Sequence, residues 1–206
     1  MDPITTFKQA YAQQLQQTAE RIPSACCLST TGLDAYPNSR IVSFKGIRED
    51  QMIITGPLYS RKGSEIDKNP KVSLVFWWHE TEKQIRIQGI ARTIDAAWAD
   101  LYFDARNTEA KIISHISRQG ETLADEAAFN ASFSLRKKEV GNSPITRPEH
   151  WGGWQIRPVR MEFMTFRSSR FHERELYQLS ETGWEFTKLQ PYYLGRSKGY
   201  CLLFKE

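Results

Sequence analysis

Arg170, His172 and Arg174 stand at alternate positions of RFHERELY, residues 170–177. In a strand, successive side chains point to opposite faces, so these three groups would share one face and Phe171, Glu173 and Glu175 the other. Such a face is either a solvated edge or a surface aimed at an anion. A second cationic set is SRKGSE, residues 60–65. Ser60 would cap a helix whose first-turn N–H groups lack partners, with Arg61 and Lys62 beside the positive end. Free amides, a helix dipole and two cations suit a phosphate; the same residues equally describe an ordinary capped helix with two solvated bases. In NSRIVSFKG, Arg40, Val42 and Phe44 would share one strand face and Ile41, Ser43 and Lys45 the other. Cations on both faces of one strand need anions or water.

Two further stretches carry chemistry of another kind. HWGGW sets Trp151 and Trp154 around a glycine pair. Gly152 and Gly153 permit a backbone approach that a Cβ would block, and Trp151 could flank a planar ring or be a core aromatic beside a bulge. LYFDAR places Tyr102 and Arg106 four apart, on one helical face, as a phosphate-directed pair or as a surface stacking pair. His79, His115 and His150 have no ligand-like spacing, so no metal site is expected. Cys26, Cys27 and Cys201 form no CxxC and fit reduced thiols better than a disulfide framework.

These residues need elements to hold them. Residues 3–21 read as an opening helix, with Phe7, Tyr11 and Leu15 at four-residue spacing. ACCLST, SRIVSFKGI, QMIITG and VSLVFWW read as strands between turn signals, with a short helix after Ser60 that stops at Asn69-Pro70. KQIRIQGIARTI alternates, Ile85 and Ile87 against Gln84, Arg86 and Gln88. Residues 95–117 read as two helices broken near Asn107, and the following segment is partly helical. Strands return in WQIRPVRMEFMTF, RFHERELYQLS and GWEFTKLQ, the last two joined by a turn at SETG. The fold class is therefore α+β, mainly antiparallel β, as a barrel or curved sheet with peripheral helices. One domain spans residues 1–206, with an N-terminal helical segment at 1–22. No GxGxxG motif supports a dinucleotide fold.

The 206-residue chain carries a net charge of +4 without a basic block, which favours small anions over nucleic acid. No signal-like start or membrane-length apolar run is present, so the expectation is a cytoplasmic protein without a membrane partner.

Taken in order, SRIVSFKG, SRKGSEIDKNPKVSLVFWW, EKQIRIQG, YFDAR, HWGGW and RFHERELY resemble the pyridoxamine 5′-phosphate oxidase family. The resemblance covers roughly residues 37 to 191 and includes W-x-x-x-K-L-Q-P, Trp184 to Pro191. Residues 192–206 form an extra tail with no place in that pattern. The resemblance implies an FMN-binding split β-barrel that forms homodimers with the flavin at the interface. It implies that Arg40, Arg61 and Lys62 bind the FMN phosphate and that Ile41, Val42, Thr55, Gly56 and Ser60 line the cofactor. Gln84 would hydrogen-bond the isoalloxazine, and Gln119, Trp151 and Arg174 would complete the pocket from another part of the dimer. Lys45, Tyr102 and Arg106 would clamp a substrate phosphate. Arg170 and His172 would be the catalytic pair, packing on the pyridine ring opposite the flavin. The implied reaction oxidises pyridoxamine or pyridoxine 5′-phosphate to pyridoxal 5′-phosphate and reduces O2 to hydrogen peroxide.

The chain departs from the pattern at two places. Ala110 stands where the family has a Ser four residues after the Arg, and a lost hydroxyl to a phosphate costs about 1.5–3 kcal/mol. Gly120 replaces a frequent Ser beside Gln119. The flavin set is better kept than the substrate set. A related FMN oxidase of another flat substrate, like the phenazine-pathway relatives, is therefore an alternative reading. A flavin-binding protein without turnover is a third.

Overall fold

Asp2 caps the first helix, its carboxylate accepting from Thr5 N at 2.8 Å, and Pro3 supplies a pre-set φ at the first position. The computed structural model describes residues 2–141, 143–169 and 171–191. Helix α1 runs Pro3–Gln17, four residues short of the expected end, because Thr18 turns extended while its N–H still closes on Gln14 O. Phe7 is 0 % exposed and meets Phe44, Phe76 and Trp78, so α1 covers one end of the core. Gln14, also buried, donates to Glu80 at 2.6 Å and accepts from Thr81, which pins the helix to a strand turn.

The strands are β1 Ala25–Thr31, β2 Pro37–Arg48, β3 Gln51–Pro57, β4 Lys71–Trp78, β5 Lys83–Thr93, β6 Trp151–Thr165, β7 Glu173–Ser180 and β8 Gly183–Leu189. They are all antiparallel, in the order β3-β2-β1-β4-β5-β6, and a β3–β6 pairing closes a six-stranded barrel. Closure removes both free edges. The 15-residue β6 serves two structures: Trp151–Ile156 seals the barrel against β3, and Arg160–Thr165 carries the β7–β8 hairpin beyond it. The turn of that hairpin lies at Glu181-Thr182, as the SETG signal predicts.

The glycine pair does permit a close approach, but of protein to protein. A Cβ on Gly153 would lie 2.5 Å from Ile54 O, and one on Gly152 would lie 3.2 Å from Leu58 Cδ2. The barrel seam, not a ligand, needs these glycines.

Helices α2 Arg61–Lys68, α3 Ala96–Asp104, α4 Thr108–Ile116 and α5 Glu126–Val140 lie in the connections. Asp95, Asn107 and Asp125 cap the last three through side-chain bonds to backbone N–H groups, which explains the break at Asn107. His115 and His150 are structural: their Nε2 atoms bond Thr146 O and Ser114 O, tying α4 to the loop that enters β6. Among the described residues no helix is long and apolar enough to cross a membrane.

The shared strand face expected of His172 and Arg174 does not form. Strand β7 begins only at Glu173, because Arg167 folds back to pair with Glu173 through Nε at 3.1 Å and Nη2 at 2.9 Å. His172 precedes the strand, rests against Phe166 and accepts from Arg167 N at 3.1 Å through Nδ1. Arg174 stands on the strand and His172 does not. Arg170 and the tail 192–206 lie outside the described residues.

Candidate functional site

One cluster forms where β3 ends and α2 begins. The chain leaves β3 at Pro57, and Ser60 takes the N-cap position with extended φ and ψ. Its hydroxyl does not cap, contrary to the expectation, because Oγ donates to Pro57 O at 2.7 Å. The first-turn amides of α2 thus keep no side-chain partner, which is what an anion at a helix start requires. Gly63 is needed there: a Cβ would fall 1.7 Å from Leu58 O, so any side chain would push the loop off the helix start.

Lys62, 9 % exposed, donates to Ser60 Oγ at 2.8 Å and to Gln119 Oε1 at 3.0 Å. Its amine passes over Gly56, where a Cβ would stand 3.3 Å from Nζ. Burial, with the nearby charge of Arg40, brings the Lys62 pKa down to about 8. Gln119 thus reaches Lys62 within its own chain.

Behind Lys62 stands a carboxylate that the motif reading did not single out. Glu65 is 0 % exposed, yet both oxygens are filled. Oε2 accepts from Thr30 and from Arg40 Nη2 at 2.8 Å; Oε1 accepts from Asn38 and from Arg61 Nε at 2.9 Å. Desolvation pushes this carboxyl up, but the bonds from Thr30, Arg61, Asn38 and Arg40 outweigh it and hold the pKa at about 2. Arg61 Nη2 also pairs with Asp34 at 2.8 Å, while its Nη1 has no bond among the described residues. Arg40 is more committed, with Nη1 on Thr30 Oγ1 and Nη2 on Glu65.

A second group gathers on the outer face of β5, β6 and β7. Gln84 pairs with Met164 across β5–β6, and Met164 pairs with Arg174 across β6–β7. Gln84 Nε2 points to Met164 Sδ at 3.9 Å. Arg174 places Nε and Nη2 on one oxygen of buried Glu162, at 3.0 and 2.6 Å. Nearby, Trp77 meets Phe166 edge to face, and Phe166 meets His172 at a tilt. Trp151, expected to flank the ring, is 1 % exposed and packs edge-on against Phe103. The side chain between Gln84 and Arg174 is Met164, which no motif announced.

The third group is cationic. Lys45 sits one residue before the Gly46 irregularity in β2, and burial and the nearby Arg106 both lower its pKa. Arg106, just past α3, lies 5.0 Å over the Trp151 ring and is itself lowered by desolvation. Its Nη2 donates to Ala110 O at 3.1 Å and Ser114 Oγ at 3.4 Å, while its buried Nε has no partner among the described residues. Tyr102 packs on the same Phe103–Trp151 cluster. Neither cation has an acidic partner among the described residues. Of the other expected residues, Ile41 is 70 % exposed on the outer face, Val42 is half-buried, and Thr55 lies opposite Gly153 in the seam.

Residues 10–135 match the Pyridoxamine 5'-phosphate oxidase family, and residues 151–191 match the Pyridoxine 5'-phosphate oxidase C-terminal dimerisation region. The chain belongs to the pyridoxamine 5′-phosphate oxidase family. A pyridoxine/pyridoxamine 5'-phosphate oxidase of Trichormus variabilis is 35 % identical over 186 residues, 90 % of this chain and 85 % of that protein. One from Bacteroides thetaiotaomicron is 32 % identical, covering 92 % and 89 %. The structure of PhzG from Burkholderia lata 383, in complex with tetrahydrophenazine-1-carboxylic acid, superposes with a TM-score of 0.87 at 29 % identity, covering 92 % of this chain and 93 % of that one. A pyridoxamine 5'-phosphate oxidase-related FMN-binding protein of Nostoc punctiforme shares the fold, with a TM-score of 0.76 at 18 % identity over 90 % of this chain and 97 % of that one. Membership in the pyridoxamine 5′-phosphate oxidase family makes the chain an oxidoreductase with FMN as its cofactor. The residues present fit that group: free α2 amides, Lys62 and the open side of Arg61 suit a phosphate.

Proposed function

We propose that the protein oxidises pyridoxamine or pyridoxine 5′-phosphate to pyridoxal 5′-phosphate as a homodimer. The observation that carries this reading is the Lys45–Arg106 pair. Burial and the charge of Arg106 lower the Lys45 pKa, desolvation lowers that of Arg106 itself, and among the described residues the buried Arg106 Nε lacks the partner that a buried donor normally has. A substrate phosphate supplies both the charge and the acceptor. Tyr102 and Trp151 wall the same spot.

When bound, FMN supplies the two-electron acceptor that no side chain offers, with dioxygen leaving as hydrogen peroxide. Around it, Arg61, Lys62, Ser60 and Gln119 hold the phosphate end, while Gln84, Met164 and Arg174 border the ring end. Arg40 acts mainly through Glu65. Trp151 contributes through Arg106 rather than by flanking the flavin. His172, whose Nδ1 accepts from Arg167 N, keeps the proton of its neutral ring on Nε2 and can present it to substrate. Positioning is the protein's main contribution. The match of residues 151–191 to a dimerisation region supports pairing through β6, β7 and β8.

A second reading is a flat carboxylate substrate. Ala110 offers no hydroxyl, and Arg106 Nη2 is already spent on Ala110 O, so the clamp is smaller than a dianion could use. The test is anaerobic mixing of FMN-loaded protein with pyridoxamine 5′-phosphate, with unphosphorylated pyridoxamine and with tetrahydrophenazine-1-carboxylic acid. Rapid bleaching of flavin absorbance by the phosphorylated amine alone is expected. Bleaching only by the carboxylate would establish the second reading, and none by any of the three would refute both.

A further inference from the structure

Glu65 has no place in the substrate chemistry, yet it is the most heavily bonded side chain of the phosphate cluster. Its two oxygens take four donors from three elements: Thr30 of β1, Asn38 and Arg40 of β2, and Arg61 of α2. All of it is buried, so none of these bonds is shared with water. We infer that Glu65 is a positioning residue for flavin-phosphate binding, setting the guanidinium of Arg61, and through Arg40 the β1–β2 wall, at the start of α2. The inference rests on reading this cluster as the FMN-phosphate site.

The geometry explains why a carboxylate is needed where an anion must bind. Arg61 is long and half-exposed, and a flexible guanidinium loses rotamer freedom when it is ordered. Its Nε bond to Glu65, one helical turn ahead, settles that orientation beforehand and leaves Nη1 open. Arg40 would otherwise leave a cation beside Lys62, whose amine burial already disfavours. Glu65 neutralises Arg40 from behind, so that the two can share the site. Thr30 completes the lock, donating to Glu65 while accepting from Arg40 Nη1.

Two roles for Glu65 predict opposite signs. A mere nearby negative charge repels a phosphate, and its removal would tighten FMN binding. A positioning residue orders the binding groups, and its removal would weaken FMN binding while leaving riboflavin, which has no phosphate, unaffected. The experiment titrates apo-protein with FMN and with riboflavin, followed by flavin fluorescence, for wild type and Glu65→Gln. The amide is nearly isosteric but sets an NH2 against donors already in place. We expect the FMN-over-riboflavin preference to fall about 10- to 100-fold, consistent with losing one charge-assisted bond. An unchanged or increased preference overturns the positioning role. Equal losses for both flavins would show a structural role and also overturn it. If wild type itself shows no preference for FMN, the phosphate-site reading fails, and the inference falls with it. Should Glu65→Gln not fold, Thr30→Val decides instead: a smaller loss of preference is expected, and no loss refutes the proposal.

Discussion

If Lys62 holds the FMN phosphate as proposed, it couples flavin binding to pH, and the direction follows from its burial. The amine titrates near 8 rather than at its ordinary 10.5, because burial first and Arg40 second disfavour the charge. A phosphate needs the ammonium form, so FMN binding must restore the proton. If only the charged form binds, the apparent dissociation constant scales as 1 + 10^(pH − pKa). Affinity then falls about tenfold between pH 7 and pH 9, or about 1.4 kcal/mol. The FMN phosphate does not obscure this, since its second pKa is about 6 and it is dianionic throughout. Riboflavin affinity should stay flat. Lys62→Met should weaken FMN binding at pH 7 and remove the slope. The apo-protein should respond in the opposite sense. Above pH 8 the folded state has lost this proton and the unfolded state still holds it, so the Lys62 contribution to stability rises up to about pH 10.5. Fluorescence titrations at half-unit pH steps measure the first effect and thermal melts the second. A flat FMN affinity from pH 7 to 9, or a slope that survives in Lys62→Met, would refute the reasoning.

Other substitutions separate the remaining roles. Phe7→Ala should cost about 3–5 kcal/mol in urea unfolding, because fully buried Phe7 packs against Phe44, Phe76 and Trp78; a loss under 1 kcal/mol would mean that this contact is dispensable to the barrel. Arg106→Met should raise KM for pyridoxamine 5′-phosphate by one to two orders of magnitude, with flavin content and melting temperature near wild type; a loss of flavin instead would place Arg106 at the cofactor.

Much of the architecture was legible because it is local. The strand alternation at Ile85 and Ile87, the stop at Asn69-Pro70, the helix break near Asn107 and the SETG turn all depend on neighbours a few residues away. The cationic motif at Arg61 and Lys62 was legible for the same reason. What failed were inferences in which a local pattern met a distant partner. Alternation placed Arg170, His172 and Arg174 on one strand, but the Arg167–Glu173 pair folds a loop before β7. The glycine pair announced a close approach without naming what approaches, and the fold supplies Ile54 and Leu58. Ser60 looked like a helix cap, and its hydroxyl turned to Pro57 O instead.

Residue types and spacing thus pointed to a mainly antiparallel β fold with two cations at a helix start, since propensity, capping and pleat are properties of short segments. The folded chain alone assigned the partners. Glu65 meets Thr30 and Asn38 across 35 and 27 residues, Gln119 reaches Lys62 across 57, and Met164 comes between Gln84 and Arg174. Those contacts come from strand register and barrel closure, which no short segment encodes, and they turn scattered cations into a site with a defined shape.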